Sequence, residues 1–195
     1  MTLALQADLA QILAEAFLEP DADLKDGLGE LLDADPVPAL AEPLSGMVRH
    51  AIAPQDQPVE YTRLFLHAQA TDTVHLFESV QARGHHMAPE VLEPLKAIYD
   101  AADISLQEDL SVPPDHLGLE FACLSYLVGQ VIEGDLSERT QFRDLALRLI
   151  RDHLRPFVQA VSEQLAQVSP HPYYRAASDL AVALLPETEK ALAEI

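Results

Sequence analysis

Residues 115–135, "DHLGLEFACLSYLVGQVIEGD", decide how the chain is read. Leu117, Phe121, Leu124 and Val128 recur at spacings of three and four, and Cys123 and Leu127 widen that ridge until little of the segment is polar. The period is helical, and apolar coverage this broad predicts a helix enclosed on nearly every side. Such a helix needs neighbours to cover it.

The flanking sequence supplies them. Leu5, Leu9, Ile12, Leu13, Ala16 and Phe17 predict a first amphipathic helix that stops at Pro20. Residues 21–38 read as a loop, a short helix and a breaker, and residues 36–54 as a helix of modest length ended by Pro54. A short helix follows in "QPVEYTRLFLHA" (57–68), with Tyr61, Leu64 and Phe65 on one face. Residues 68–87 are the least regular, and predict a loop and a turn of helix around Leu76–Val80. Val91, Leu95, Ile98 and Tyr99 resume the helical period, with Pro94 placed near a first turn, where proline is tolerated. Residues 137–168 form a long helix opening at Ser137, with a basic outer face and a bend near Pro156. A final helix and a tail occupy 171–195. Nothing alternates like a strand, and no 20- to 50-residue period repeats. The expectation is an all-α fold in one compact domain, residues 1–195, with many unequal helices rather than a four-helix bundle.

Composition narrows the function. Apolar residues make up 49% and charged residues 23%, a globular balance. Thirty-two acids against twelve bases leave a formal charge of −20, which disfavours nucleic acid and favours a cationic partner. A single cysteine, Cys123, excludes an intramolecular disulfide and fits a reducing compartment. The first twenty residues have no basic region before their apolar ones, so no secretory or transit signal is read there. No run approaches the ~20 apolar residues that span a bilayer. A cytoplasmic protein without stable membrane insertion is expected.

Phosphate-binding glycine loops and nucleophile elbows are absent, and Cys123 lies within the helical ridge, where cysteine acts as a small hydrophobe. His67, His75, His85 and His86 cluster in the irregular segment without metalloprotease spacing, and read as solvated loop histidines; no metal or other cofactor is implied. Asp115–His116 is the pair with chemical content. Two prolines precede it, so Asp115 stands where an N-cap or first-turn acid complements a helix dipole. Glu120, four residues after His116, shares its face and is placed to bond or ion-pair with it. A cap, an anionic binding rim beside an apolar groove, and an acid–base site all remain open on these residues alone.

The order of "VEYTRLF", "HLFESV", "PPDHLGLEFACLSYL", "FRDLALRLIRDHLRPFVQAV" and "HPYYRAASDLA" resembles the TorD/DmsD/NarJ family of cytoplasmic molybdoenzyme maturation chaperones, over about residues 58–185. The resemblance implies an all-helical, non-catalytic protein. Its partners would be the twin-arginine leader and the immature body of a catalytic subunit of the dimethyl sulfoxide reductase type, held until cofactor insertion. Asp115 and His116 match the family's Asp-His motif, implicated in leader recognition. Tyr61, Leu64 and Phe65 match its Tyr-x-x-Leu-Phe motif, and Phe77, Glu78 and Ser79 its Leu-Tyr-Glu-Ser segment, with Phe77 replacing the usual tyrosine. The residues expected to carry client binding are therefore Asp115, His116, Glu120, Tyr61, Leu64, Phe65, Phe77, Glu78 and Ser79, although aromatic stripes such as Tyr61, Leu64 and Phe65 more often pack inward. A leader that is basic and then apolar suits an anionic rim and an apolar groove. A monomer is expected, with helix exchange between two copies as the alternative state. Two other readings stay in play: a small metal- or nucleotide-dependent hydrolase using Asp115, His116 and Glu120, and an interaction module of the same fold serving a different client.

Overall fold

A computed structural model describes residues 2–18, 24–34, 36–67, 73–105 and 112–195, with backbone alone for 24–26. The apolar segment forms helix α7, Leu117–Glu133, and its ridge residues Leu117, Phe121, Leu124, Leu127 and Val128 are all buried. Helix α1, Leu3–Phe17, lies along it over most of its length. Gly118 sits at their closest approach: a Cβ there would come 2.6 Å from Leu18 Cγ and 2.9 Å from the Ala14 carbonyl oxygen. The missing side chain lets the two helices touch.

Other helices wrap this pair. They are α2 (Leu24–Asp33), α3 (Pro38–Arg49), α4 (Gln57–Tyr61), α5 (Glu78–Arg83), α6 (Pro89–Ala101), α8 (Leu136–Arg148), α9 (Arg155–Gln167) and α10 (Pro172–Ala193). α10 packs on α3, α9 and α1, and α8 packs on α7. Among the described residues there is no strand beyond one isolated bridge, so the fold is all-α as expected. α4 widens into a π-helical turn at Thr62–Leu66, and the α8–α9 rod does so at Leu149–Leu154.

An aromatic group closes the core beside α1. Phe65 meets Phe17, Tyr61 and Tyr174 at ring separations of 6.3, 5.1 and 5.2 Å. The Tyr61 hydroxyl donates to the Phe17 carbonyl at 2.9 Å, satisfying an acceptor that the end of α1 leaves open. Tyr61, Leu64 and Phe65 are thus core residues, and the Leu64 carbonyl accepts from Val74 N–H at 2.9 Å, anchoring the chain that leads to α5.

Several boundaries move. α3 ends at Arg49, before Pro54, because the chain turns there without needing a proline. α5 starts at Glu78 rather than near Leu76, since residue 76 is held in extended pairing. Pro94 lies inside α6, five residues after its first residue, and Pro186 lies inside α10, which runs on through the expected tail. The long helix opens at Leu136, one residue earlier than Ser137, on an Asp135–Glu138 capping box. Residues 68–72 of the irregular segment, and Pro20, fall outside the described residues.

Gly118→Ala should destabilise the fold by roughly 1–3 kcal/mol, the usual cost of overpacking a tight contact. Urea unfolding of the two proteins measures it, and equal midpoints would show that α1 and α7 do not depend on this approach.

Candidate functional site

Two chain segments meet antiparallel where α5 and α7 begin. Leu117 N–H donates to the Leu76 carbonyl, and Glu78 N–H donates to the Asp115 carbonyl, both at 2.9 Å. Phe77 and His116 face each other across this single rung. Each is extended (φ −120°, ψ 122° and φ −81°, ψ 133°), and each is the residue from which a helix starts.

The rung redistributes the caps. Asp115 does not cap α7, contrary to expectation. With its carbonyl held by Glu78, its side chain crosses to α5, where Oδ2 accepts from Ser79 N–H at 2.9 Å. His116 caps α7 instead, its Nδ1 accepting from Gly118 N–H at 3.2 Å. An acid thus complements the N-terminal end of a helix remote in sequence. Ser79 Oγ in turn accepts from Ala88 N–H at 3.1 Å, and the Tyr99 hydroxyl donates to the Pro114 carbonyl at 2.8 Å. The half-buried Phe77 ring stands edge-on to His116 and to His86.

Behind the rung lie three buried carboxyl groups: Glu78, Asp115 and Glu120. Glu78 Oε2 is 2.9 Å from Nδ1 of His153, which reaches in from the π-helical turn at 149–154. Glu120 is fully buried, and among the described residues no N–H or hydroxyl donor reaches either of its oxygens, yet it lies within hydrogen-bonding range of the Glu78 carboxyl. Two carboxylates repel, so this contact is a bond only if one carries a proton. Burial first, then the charges of Glu78 and Asp115, push Glu120 well above the usual carboxylate range. Glu120 is therefore the member of the pair that holds a proton more readily.

His116 is shifted the other way. Burial outweighs the opposing pull of Asp115 and lowers it to about 4, so the ring is neutral, as its role as an acceptor toward Gly118 requires. The expected His116–Glu120 pair does not form: one group is spent on a cap, and the other faces Glu78. Nor do these groups assemble an acid–base site around a nucleophile. Burial raises the Cys123 thiol and keeps it protonated. Among the described residues no group of three His, Cys, Asp or Glu side chains is arranged to hold a metal ion, and His67, His85 and His86 are exposed.

His153 is a site residue that sequence reasoning passed over. Its signal was present: it falls between Ile150, Leu154 and Phe157, on the inward face of an otherwise apolar ridge. Beside the junction, α5, α6 and the start of α9 enclose a cleft of about 540 Å³ whose lining includes Glu78, His153, Glu90, Asp152, Val91 and Phe157.

The model of the family described as nitrate reductase delta subunit matches residues 30–163, a span that contains the whole junction. The chain belongs to this family. It is the TorD/DmsD/NarJ-type family of molybdoenzyme maturation chaperones, so the role is that of a chaperone and the partner a molybdoenzyme subunit. No curated protein matches the chain. Among the described residues no helix is long and apolar enough to cross a membrane.

The two shifted groups make opposite pH predictions. Glu120 favours its proton when folded, so its contribution is full below its ordinary pKa of 4.5 and is lost as pH rises. His116 disfavours a proton when folded, so its contribution is full above 6.5 and is lost as pH falls toward 4. Relative to wild type, Glu120→Gln should therefore gain stability as pH rises above 4.5, by up to about 1.4 kcal/mol per pH unit. His116→Asn, which keeps a capping acceptor, should gain on going from pH 6.5 toward 4. Thermal melts across pH 4–8 measure both, and a Glu120→Gln protein less stable than wild type at pH 7 would disprove a neutral Glu120.

Proposed function

We propose that this protein is a cytoplasmic chaperone dedicated to a catalytic subunit of the dimethyl sulfoxide reductase type. It binds that subunit's twin-arginine leader, its immature body, or both, until the metal cofactor is inserted. The observation that carries this reading is the junction of Glu78, Asp115 and Glu120, where no lysine or arginine bonds to any of the three among the described residues, in a chain of net charge −20. A partner that brings positive charge complements it, and a leader with adjacent arginines followed by apolar residues does so.

The junction also sorts the residues. Glu78 reaches the surface through the cleft, and Phe77 is half-exposed beside it. In this reading these two touch the client. Asp115, His116, Ser79 and Glu120 hold them in place, and Tyr61, Leu64 and Phe65 support the segment leading to them.

Calorimetric titration with synthetic leaders of molybdoenzymes encoded near this protein provides the test. Binding with Kd in the low micromolar range or tighter is expected, weakening as salt screens the charges. Replacing both arginines by glutamine should abolish most of it. Absence of binding at low salt by every such leader refutes the leader-binding role.

A further inference from the structure

The cleft between α5, α6 and the π-turn–α9 rod sets three carboxylates, Glu78, Glu90 and Asp152, and the His153 ring among apolar residues. His153, more than nine-tenths buried, lines it; in the neutral ring that donates from Nδ1 to Glu78, the remaining nitrogen Nε2 carries a lone pair, and Nε2 has no partner among the described residues. Glu78 lies beside it on the same wall, backed by the protonated Glu120.

The two sides of the cleft repeat one pattern. Glu90 is followed four residues later by Pro94, and Asp152 by Pro156, and all four residues line the cleft. Proline has no N–H, so neither acid's carbonyl receives the helical bond it would otherwise accept. Each side therefore brings a carboxylate together with a main-chain acceptor deprived of its usual donor. Against this, Arg83 is the single lysine or arginine among the described residues of the lining, and its guanidinium donates to the neighbouring Ala82 carbonyl. Asp152 has only a long contact with Arg148, 3.9 Å, and Glu90 has no ion pair among the described residues.

A ligand for such a site has donors, no acceptors, positive charge and an apolar stem. We propose that this cleft is a guanidinium subsite: an arginine side chain of the bound partner enters between Glu90 and Asp152 and donates to Glu78 and to His153 Nε2, with its methylenes against Val91 and Phe157. Guanidinium presents five donors in a planar fork and stacks well on aromatic rings, which suits several separate acceptors better than a single ammonium does. The assignment rests on the chaperone reading for its partner, but the chemistry of the cleft stands by itself.

Two measurements test it and separate its failure from that of the leader-binding role. In the first, the full chain is titrated with capped Arg-Arg dipeptide at millimolar concentration while the imidazole resonances are followed by NMR. His153 should shift, whereas capped Lys-Lys should move it several-fold less. In the second, a leader peptide is titrated against Glu90→Gln/Asp152→Asn and against the charge-matched control Asp8→Asn/Glu133→Gln. These are all exposed positions, chosen so that folding is spared. The cleft variant should lose about tenfold in affinity and the control less than about twofold. An unmoved His153, equal shifts with lysine, or a cleft variant that binds the leader like wild type overturns the subsite. A His153 that responds to the dipeptide while no leader binds leaves the subsite standing and removes the leader.

Discussion

Two backbone hydrogen bonds, Glu78 to Asp115 and Leu117 to Leu76, hold the candidate site of this chaperone together. They are the entire β content among the described residues, yet they join segments nearly forty positions apart and set the starting points of α5 and α7. Because both helices leave the same rung, their N-terminal N–H groups open toward a common centre. Asp115 and His116 can then exchange duties, one capping the partner helix and the other its own. Loss of the rung would release two caps and expose three carboxyl groups at once. Conformational freedom at this point is costly, which is a physical reason for two prolines immediately upstream.

Burial of Glu78, Asp115 and Glu120 so close together is not what a sequence optimised for stability would choose. Removing a carboxylate from water costs several kcal/mol unless a cation or several donors replace the lost hydration. Asp115 has a main-chain donor and Glu78 has His153, but Glu120 is accommodated only by keeping its proton. The region therefore holds an unfavourable electrostatic term, which in the proposed function an incoming cation would relieve. Buried groups with perturbed protonation are concentrated at functional sites for this reason, and the same inference applies to a protein whose work is binding rather than catalysis.

The fold was legible because its signal is periodic. The ridge of α7, the stripe of α1 and the Tyr61–Leu64–Phe65 face each follow from spacing alone, and each is buried as spacing predicts. The site was legible as a set of residues but not as an arrangement. Asp115 read as the cap of the helix it precedes because capping preferences are local, whereas the bridge that redirects it is a contact between distant segments. His116 and Glu120 share a helix face by offset, but offset does not reveal a third carboxyl group competing for Glu120. His153 carried a usable signal, a lone polar residue on an inward ridge, and only its partner was invisible.

The prolines show how backbone and site chemistry are coupled. In a regular helix Pro156 would leave the Asp152 carbonyl without its donor and press its ring against the preceding turn. The chain answers by widening that turn: Arg155 N–H reaches back five residues to the Ile150 carbonyl, the signature of π-helical pairing. Leu149, Ile150, His153 and Leu154 all face inward from this widened turn. Offsets of one, four and five place these residues on a single face by spacing alone, and from that face the imidazole meets Glu78 at 2.9 Å. The widened turn that accommodates Pro156 thus carries the residue whose imidazole lines the cleft.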